Sequence, residues 1–176
     1  MRRVPMAGSR VWLCAFAALA FGGLPAAFAD ERDHDFTGDA ALMRTATQAE
    51  LAEIELSRIA ERSAASAETR DFAAKMVHDH SVHNSALAHI ALKANVPLPI
   101  APDSDHMHLR DDLIALRGKT FDKAYVEAMR NDHHKMVEFL TAAMNTATND
   151  DLRHFIKQTL PVVQHHLHMA ESLRPD

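Results

Sequence analysis

From residue 39 onward, apolar side chains recur every three or four positions in four long blocks, the spacing of amphipathic helices. The pattern predicts a first helix over 39–64, with Leu42, Ala46, Ala49, Glu53, Leu56 and Ala60 on one face. A second, over 67–94, aligns Phe72, Met76, His80, His83, Leu87 and Ile90, with Ser66 as N-cap and Glu68 in the first turn. A third, over 120–146, aligns Phe121, Tyr125, Met129, His133, Met136, Leu140 and Met144. A fourth, over 150–173, aligns Leu152, Phe155, Thr159, Val163, His166, Ala170 and Leu173, capped by Asn149. Helix breakers are sparse: past residue 30 the glycines are Gly38 and Gly118, and the prolines are Pro97, Pro99, Pro102, Pro161 and Pro175.

The connections set the expected architecture. Short links join the first helix to the second and the third to the fourth, so each pair reads as an antiparallel hairpin. The segment 95–119 is long and carries three prolines. Fully extended it could reach roughly 80 Å, twice the ~40 Å length of one helix, so it can return along the bundle and leave the second and third helices parallel. The fold class expected is therefore all-α, a ferritin-like four-helix bundle with a long crossover between the second and third helices; an up-down-up-down arrangement stays open. Residues 109–116 can add a short helix within the crossover. The run Asp103-Ser104-Asp105-His106-Met107-His108 reads as a solvated loop, with weak binding of a soft or borderline metal as the alternative.

Ahead of these blocks, Arg2, Arg3 and Arg10 precede an apolar run, Val11 to Phe21, and Ala27-Phe28-Ala29 has the small-x-small form of a cleavage site. We read 1–29 as a cleavable signal peptide of the general secretory type, 30–38 as a tail and 39–173 as the helical domain. The expected location is periplasmic or secreted, with no stable membrane insertion after cleavage. The cut removes Cys14 and Trp12, so the mature chain has no thiol chemistry. It also removes three arginines and no acid, which takes the net charge from −5 to −8 with His neutral. Such an acidic domain argues against a nucleic-acid partner. No nucleophile motif, phosphate loop or nucleotide fingerprint occurs. All 13 histidines remain.

Position decides which histidines matter. Glu53, His80, His133 and His166 stand where apolar residues belong on the four stripes, and His83 lies one turn beyond His80. His80 is about fourteen residues past the first hairpin turn, which puts it opposite Glu50 to Glu53; His133 is about fifteen before the second turn, opposite Val163 to His166. With the second and third helices parallel, these groups meet at one height. Side chains from facing helices commonly build metal sites in bundle cores, and Asp79 and Asp132 beside two of the histidines are candidate orienting partners. The pairs Asp79-His80 and Asp132-His133 also echo each other 53 residues apart. The remaining histidines, His34, His78, His89, His134, His154, His165 and His168, fall off the stripes, and Met76, Met129, Met136 and Met144 read as core filler. Pro161 removes one hydrogen bond a turn before His166.

Several motifs carry a resemblance: Leu51-Ala52-Glu53-Ile54-Glu55-Leu56, Met76-Val77-His78-Asp79-His80, Phe121-Asp122-Lys123-Ala124-Tyr125, Asp132-His133, and Leu160-Pro161-Val162-Val163-Gln164-His165-His166-Leu167. Together they resemble the domain of unknown function 4142 family, over nearly the whole chain past the signal. The resemblance implies an exported bacterial protein of ferritin-like fold, with Glu53, Asp79, His80, Asp132, His133 and His166 matching the recurrent polar pattern; it implies no reaction. The Glu-x-x-His pairs of di-iron bundles are missing from the helices, since the only such motif is Glu31 to His34. One carboxylate with three or four imidazoles suits Cu, Zn or Ni better than Fe.

The functional expectation is thus a periplasmic transition-metal binder acting as buffer, carrier or sensor rather than a turnover enzyme. The metal residues are Glu53, His80, His83, His133 and His166. Two other readings fit the same pattern: a structural or protein-interaction module with a hydrogen-bonded polar core, and a metal-dependent oxidoreductase. No protein partner is indicated.

Overall fold

The computed structural model describes residues 38–174. The expected signal peptide, its cleavage site, most of the tail and His34 lie outside the described residues. Among the described residues five helices follow one another: α1 (Asp39–Ser63), α2 (Ala67–Lys93), α3 (Ser104–Ala115), α4 (Gly118–Thr146) and α5 (Asp150–Ser172). Among the described residues there is no strand, and no helix is long and apolar enough to cross a membrane.

The chain ends its helices where the side chains dictate. Ser66 Oγ accepts from Thr69 N–H at 3.0 Å and opens α2, and Asn149 Oδ1 accepts from Leu152 N–H at 2.9 Å and opens α5. Gly118 has φ +60°, a conformation side chains resist, and this lets α4 begin two residues ahead of the expected 120. The larger departure is α3. Asp103 accepts from the N–H groups of Asp105 (3.0 Å) and His106 (3.1 Å), so the run expected to be a solvated loop is instead the capped first turn of a twelve-residue helix.

Two buried or half-buried aspartates tie the hairpins together. At the start of α1, Asp39 accepts from Thr148 N–H (2.9 Å), Thr148 Oγ1–H (2.7 Å) and Asn149 N–H (2.7 Å) in the α4–α5 turn. Near the start of α4, Asp122 accepts from Ala65 and Ser66 N–H, both at 2.8 Å, in the α1–α2 turn. So α1 begins where α4 ends, and α2 begins where α4 begins. It follows that α2 and α4 run the same way, each antiparallel to its hairpin partner. At the far end of α2, Lys93 meets Asp151 at the start of α5, 3.0 Å away.

The apolar interior is in two parts. One cluster holds Leu56, Phe72, Met76, Phe121, Tyr125 and Met129, with Leu113 of α3 packed in; Ser57 Oγ and Tyr125 Oη, 2.8 Å apart, satisfy each other inside it. The other holds Met43, Leu87, Leu140, Leu152, Ile156 and Val163. Between them along the helices come Glu50, Glu53, His80, His133 and His166, all buried.

Asp122 is 1% exposed, and losing its carboxylate leaves two backbone N–H groups of the α1–α2 turn without their acceptor. Asp122→Ala is expected to lower unfolding free energy by about 2–4 kcal/mol. That corresponds to a fall of roughly 5–15 °C in Tm for a domain this size, read by thermal circular dichroism.

Candidate metal centre

Three imidazoles from three helices form a near-equilateral triangle in the polar layer. Ring centroids are 5.6 Å apart for His80–His133, 5.3 Å for His80–His166 and 5.6 Å for His133–His166. Their exposures are 3%, 1% and 0%. One ligand nitrogen from each lies within 4.8 Å of the other two.

Each ring is held by one nitrogen and idle at the other. His80 Nδ1 is 2.7 Å from Glu50 Oε2 of α1. His133 Nδ1–H donates to Met129 O at 2.8 Å, one turn back on its own helix. His166 Nε2–H donates to Asp79 Oδ2 of α2 at 2.8 Å. The idle atoms are His80 Nε2, His133 Nε2 and His166 Nδ1, all buried and without a hydrogen-bond partner. Metal-binding histidines characteristically anchor the nitrogen that does not bind. Among the described residues the other buried partnerless side-chain atoms are Glu53 Oε2, His83 Nδ1 and Asp132 Oδ2, so every one of them belongs to this layer or borders it. Buried polar groups are normally satisfied, and such a concentration of exceptions marks a place built for something other than packing.

A second group that could hold an ion shares His80: Glu50, His80 and His83. His83 is half-buried, its Nδ1 3.7 Å from Glu50 Oε1, and its ring meets Phe155 edge-on at 6.2 Å. Glu53 is buried but belongs to neither group; its Oε1 lies 3.6 Å from His133 Nδ1, the anchored side of that ring. Asp79 does orient an imidazole, though that of His166 across the layer, not its neighbour His80. Asp132 bonds none of the three imidazoles; it lies 3.5 Å from His106 Nε2 and 3.5 Å from Lys135 Nζ.

Burial sets the protonation of the layer. It pushes His80 and His166 down to about 4 and His133 to about 3, so all three are neutral at pH 7. It lowers His83 as well. Burial pushes Glu50 up to about 8, and Glu53 well above its ordinary value, with Asp132 and Glu50 adding charge repulsion. At the edge the balance reverses. The Asp132 carboxylate, with Asp103 2.6 Å from Nδ1, holds His106 up at about 9. Burial tends to raise Asp79, but Lys75 and His166 bonding to it leave it below its usual value.

Two residues of this region were not among the expected ones. Glu50 follows from the broad buried face of α1: Ala49, the expected stripe residue, is half-buried, and Glu50 beside it is 4% exposed. His106 is half-buried because α3 starts early; the signal was Asp103 as an N-cap three residues ahead. Pro161 is exposed inside an α5 that continues past it.

A family model described as a domain of unknown function (DUF4142) matches residues 25–173, and the chain belongs to that family. No curated protein and no solved structure matches the chain.

The shifts fix how stability depends on pH. His80, His83, His133 and His166 have lowered pKa values when folded, so the unfolded chain binds more protons below about pH 6.5, and stability falls as pH drops toward 4. Glu50, Glu53 and His106 have raised values, so the folded chain keeps protons that the unfolded one releases, and stability falls as pH rises toward 8 to 9. Metal-free protein is expected to be most stable near pH ~6, with a lower Tm at pH 5 and at pH 8. A Tm that climbs steadily from pH 5 to 8 would contradict this protonation pattern.

Proposed function

We propose that this member of the DUF4142 family is an exported, periplasmic metal-binding protein, a ferritin-like four-helix bundle that holds a transition-metal ion between His80, His133 and His166. It serves as buffer, carrier or sensor. The observation that carries this reading is the convergence of three buried, neutral imidazoles, one nitrogen of each within 4.8 Å of the others, each ring anchored at one nitrogen and without a hydrogen-bond partner at the other. The parallel course of α2 and α4 supports the ferritin-like arrangement, since the long crossover is what permits it.

The donors fit such an ion. Three neutral nitrogens suit Cu, Zn or Ni, and neutral imidazole is the form that binds. A bound ion there would act as a Lewis acid with a position to spare, because three protein ligands leave a four-coordinate ion one site short. Glu50 would take the role of anchor, accepting from His80 Nδ1–H and so leaving Nε2 its lone pair. Asp79 does the same for His166 from the other side. Glu53 and His83, drawn into the ligand set by the sequence, stand close enough to adjust to the ion's charge, with Glu53 beside His133 and His83 beside Glu50. The spare position keeps a metal-dependent oxidoreductase as a second reading. A purely structural polar core leaves the six partnerless atoms without a purpose.

Metal analysis of residues 30–176, purified without a His-tag, is expected to find about one transition-metal ion per chain. His80→Ala/His166→Ala is expected to remain helical and to lose it. A parent that neither carries nor takes up Cu, Zn, Ni or Fe would leave the layer as a structural network.

Affinity also has a predicted pH course. Below about 8 the Glu50–His80 pair holds a proton on the carboxyl side that must leave before His80 can bind through Nε2. Apparent affinity is expected to rise roughly tenfold per pH unit between pH 6 and 8 and to level off above, as measured by chelator competition. Glu50→Gln is expected to flatten that slope.

A further inference from the structure

The three imidazoles are sealed by apolar clusters above and below, so an ion has to reach them from the side. Two openings flank the layer. The first is a cavity of about 190 Å³ whose wall includes the rings of His80 and His133 and the carboxyl groups of Glu50 and Glu53. Exposure grades along it: His133 and Glu53 are 1% and 7% exposed in their side chains, Asp132 14%, His106 22%, Asp103 38% and Lys135 78%. The second is a groove between α2 and α5, beside Lys75, Asp79, His83 and Pro161, and none of the three convergent histidines lines it. There Lys75 Nζ sits 2.9 Å from Asp79, putting a positive charge in the way of a cation.

We infer that the cavity bounded by α1, α3 and α4 is a cation-capture vestibule, in which Glu53 and Asp132 take up a divalent transition-metal ion and pass it inward to His80 and His133. This rests on the metal-binding reading above and adds a second, transient site to it. Glu53 Oε2 is a buried, partnerless carboxyl oxygen on the wall of this cavity, and Asp132 lines it further out, its Oδ2 3.5 Å from His106 Nε2. Glu53 lies 3.6 Å from the His133 ring, within one ligand exchange of the final site. At the rim Asp103 and Asp132 offset the cations Lys135 and His106, and deeper in Glu53 and Glu50 offer carboxyl oxygens beside the imidazoles. The walls here are Ala49, Met136 and Phe139. His106 bridges Asp103 and Asp132 from α3, at 2.6 and 3.5 Å, and holds the outer carboxylates at the rim.

The test is the rate of Zn²⁺ uptake by metal-free protein, followed by stopped-flow against a chromogenic chelator, with dissociation measured separately. Glu53→Gln keeps the shape and removes the inner carboxylate; Ala49→Phe fills the passage. Both are expected to slow association by roughly tenfold or more while the bound stoichiometry stays that of the parent. Val82→Trp, on the groove between α2 and α5, is the control and is expected to leave uptake unchanged. Uptake unchanged in both cavity variants, or slowed only by Val82→Trp, overturns the vestibule while leaving the three-histidine site standing. A parent that binds no Zn²⁺ overturns both. Glu53→Gln is the decisive variant should Ala49→Phe disturb packing, and circular dichroism of each variant shows which has kept its fold.

Discussion

Burying ionisable groups between two apolar clusters is the constraint around which the rest of the molecule is arranged. A charged imidazole or carboxylate in that position would cost several kcal/mol, and even a neutral one costs unless it is bonded. The chain meets this in two ways. Burial keeps the imidazoles of His80, His133 and His166 neutral and the carboxyls of Glu50 and Glu53 protonated. Each ring is also tied by one nitrogen to a fixed hydrogen-bond partner. What remains uncompensated is the second nitrogen of each of the three rings, which packing alone does not explain.

That arrangement depends on heights fixed far from the layer. Asp39 binds the α4–α5 turn at one end and Asp122 binds the α1–α2 turn at the other, so α1 and α4 cannot slide past each other without breaking five hydrogen bonds to backbone or hydroxyl donors. A slip of one helical turn is 5.4 Å, more than the 4.8 Å within which the three ligand nitrogens now sit. The two capping aspartates therefore do for the site what no residue inside it can do, which is to set the axial register of its ligands.

Much of this was legible in the sequence, and the parts that were not share a physical reason. The ends of the four long helices fell within two residues of expectation because Ser66, Asn149 and the glycines act locally, over a span that a periodicity argument sees. The common height of His80, His133 and His166 followed from counting residues back to the turns. Side-chain direction did not follow. Periodicity could not tell whether Glu50 or Glu53 would bond His80, because both lie on the buried face of α1 one turn apart. Nor could it show that Asp79 would serve His166 of another helix, since that depends on how far α2 and α5 rotate toward each other. His106 was read as loop because the crossover was judged by its prolines, while Asp103 capping the following turn decided the outcome.

The protonation of the layer also bears on the kind of metal binding proposed for it. With the imidazoles neutral and Glu50 and Glu53 protonated, the empty layer carries little charge. A divalent ion would add two charges, and the Glu50 and Glu53 carboxyls, protonated because of burial and, for Glu53, neighbouring acids, can release protons to offset them. The layer could then stay close to neutral both with and without its ion. The packed helices would lose little stability on unloading, unlike a small zinc domain that unfolds when its ion leaves. Two large apolar clusters flank the layer, one on each side. A scaffold that tolerates both states, and exchanges protons for metal as it passes between them, suits reversible capture and release better than permanent structural binding.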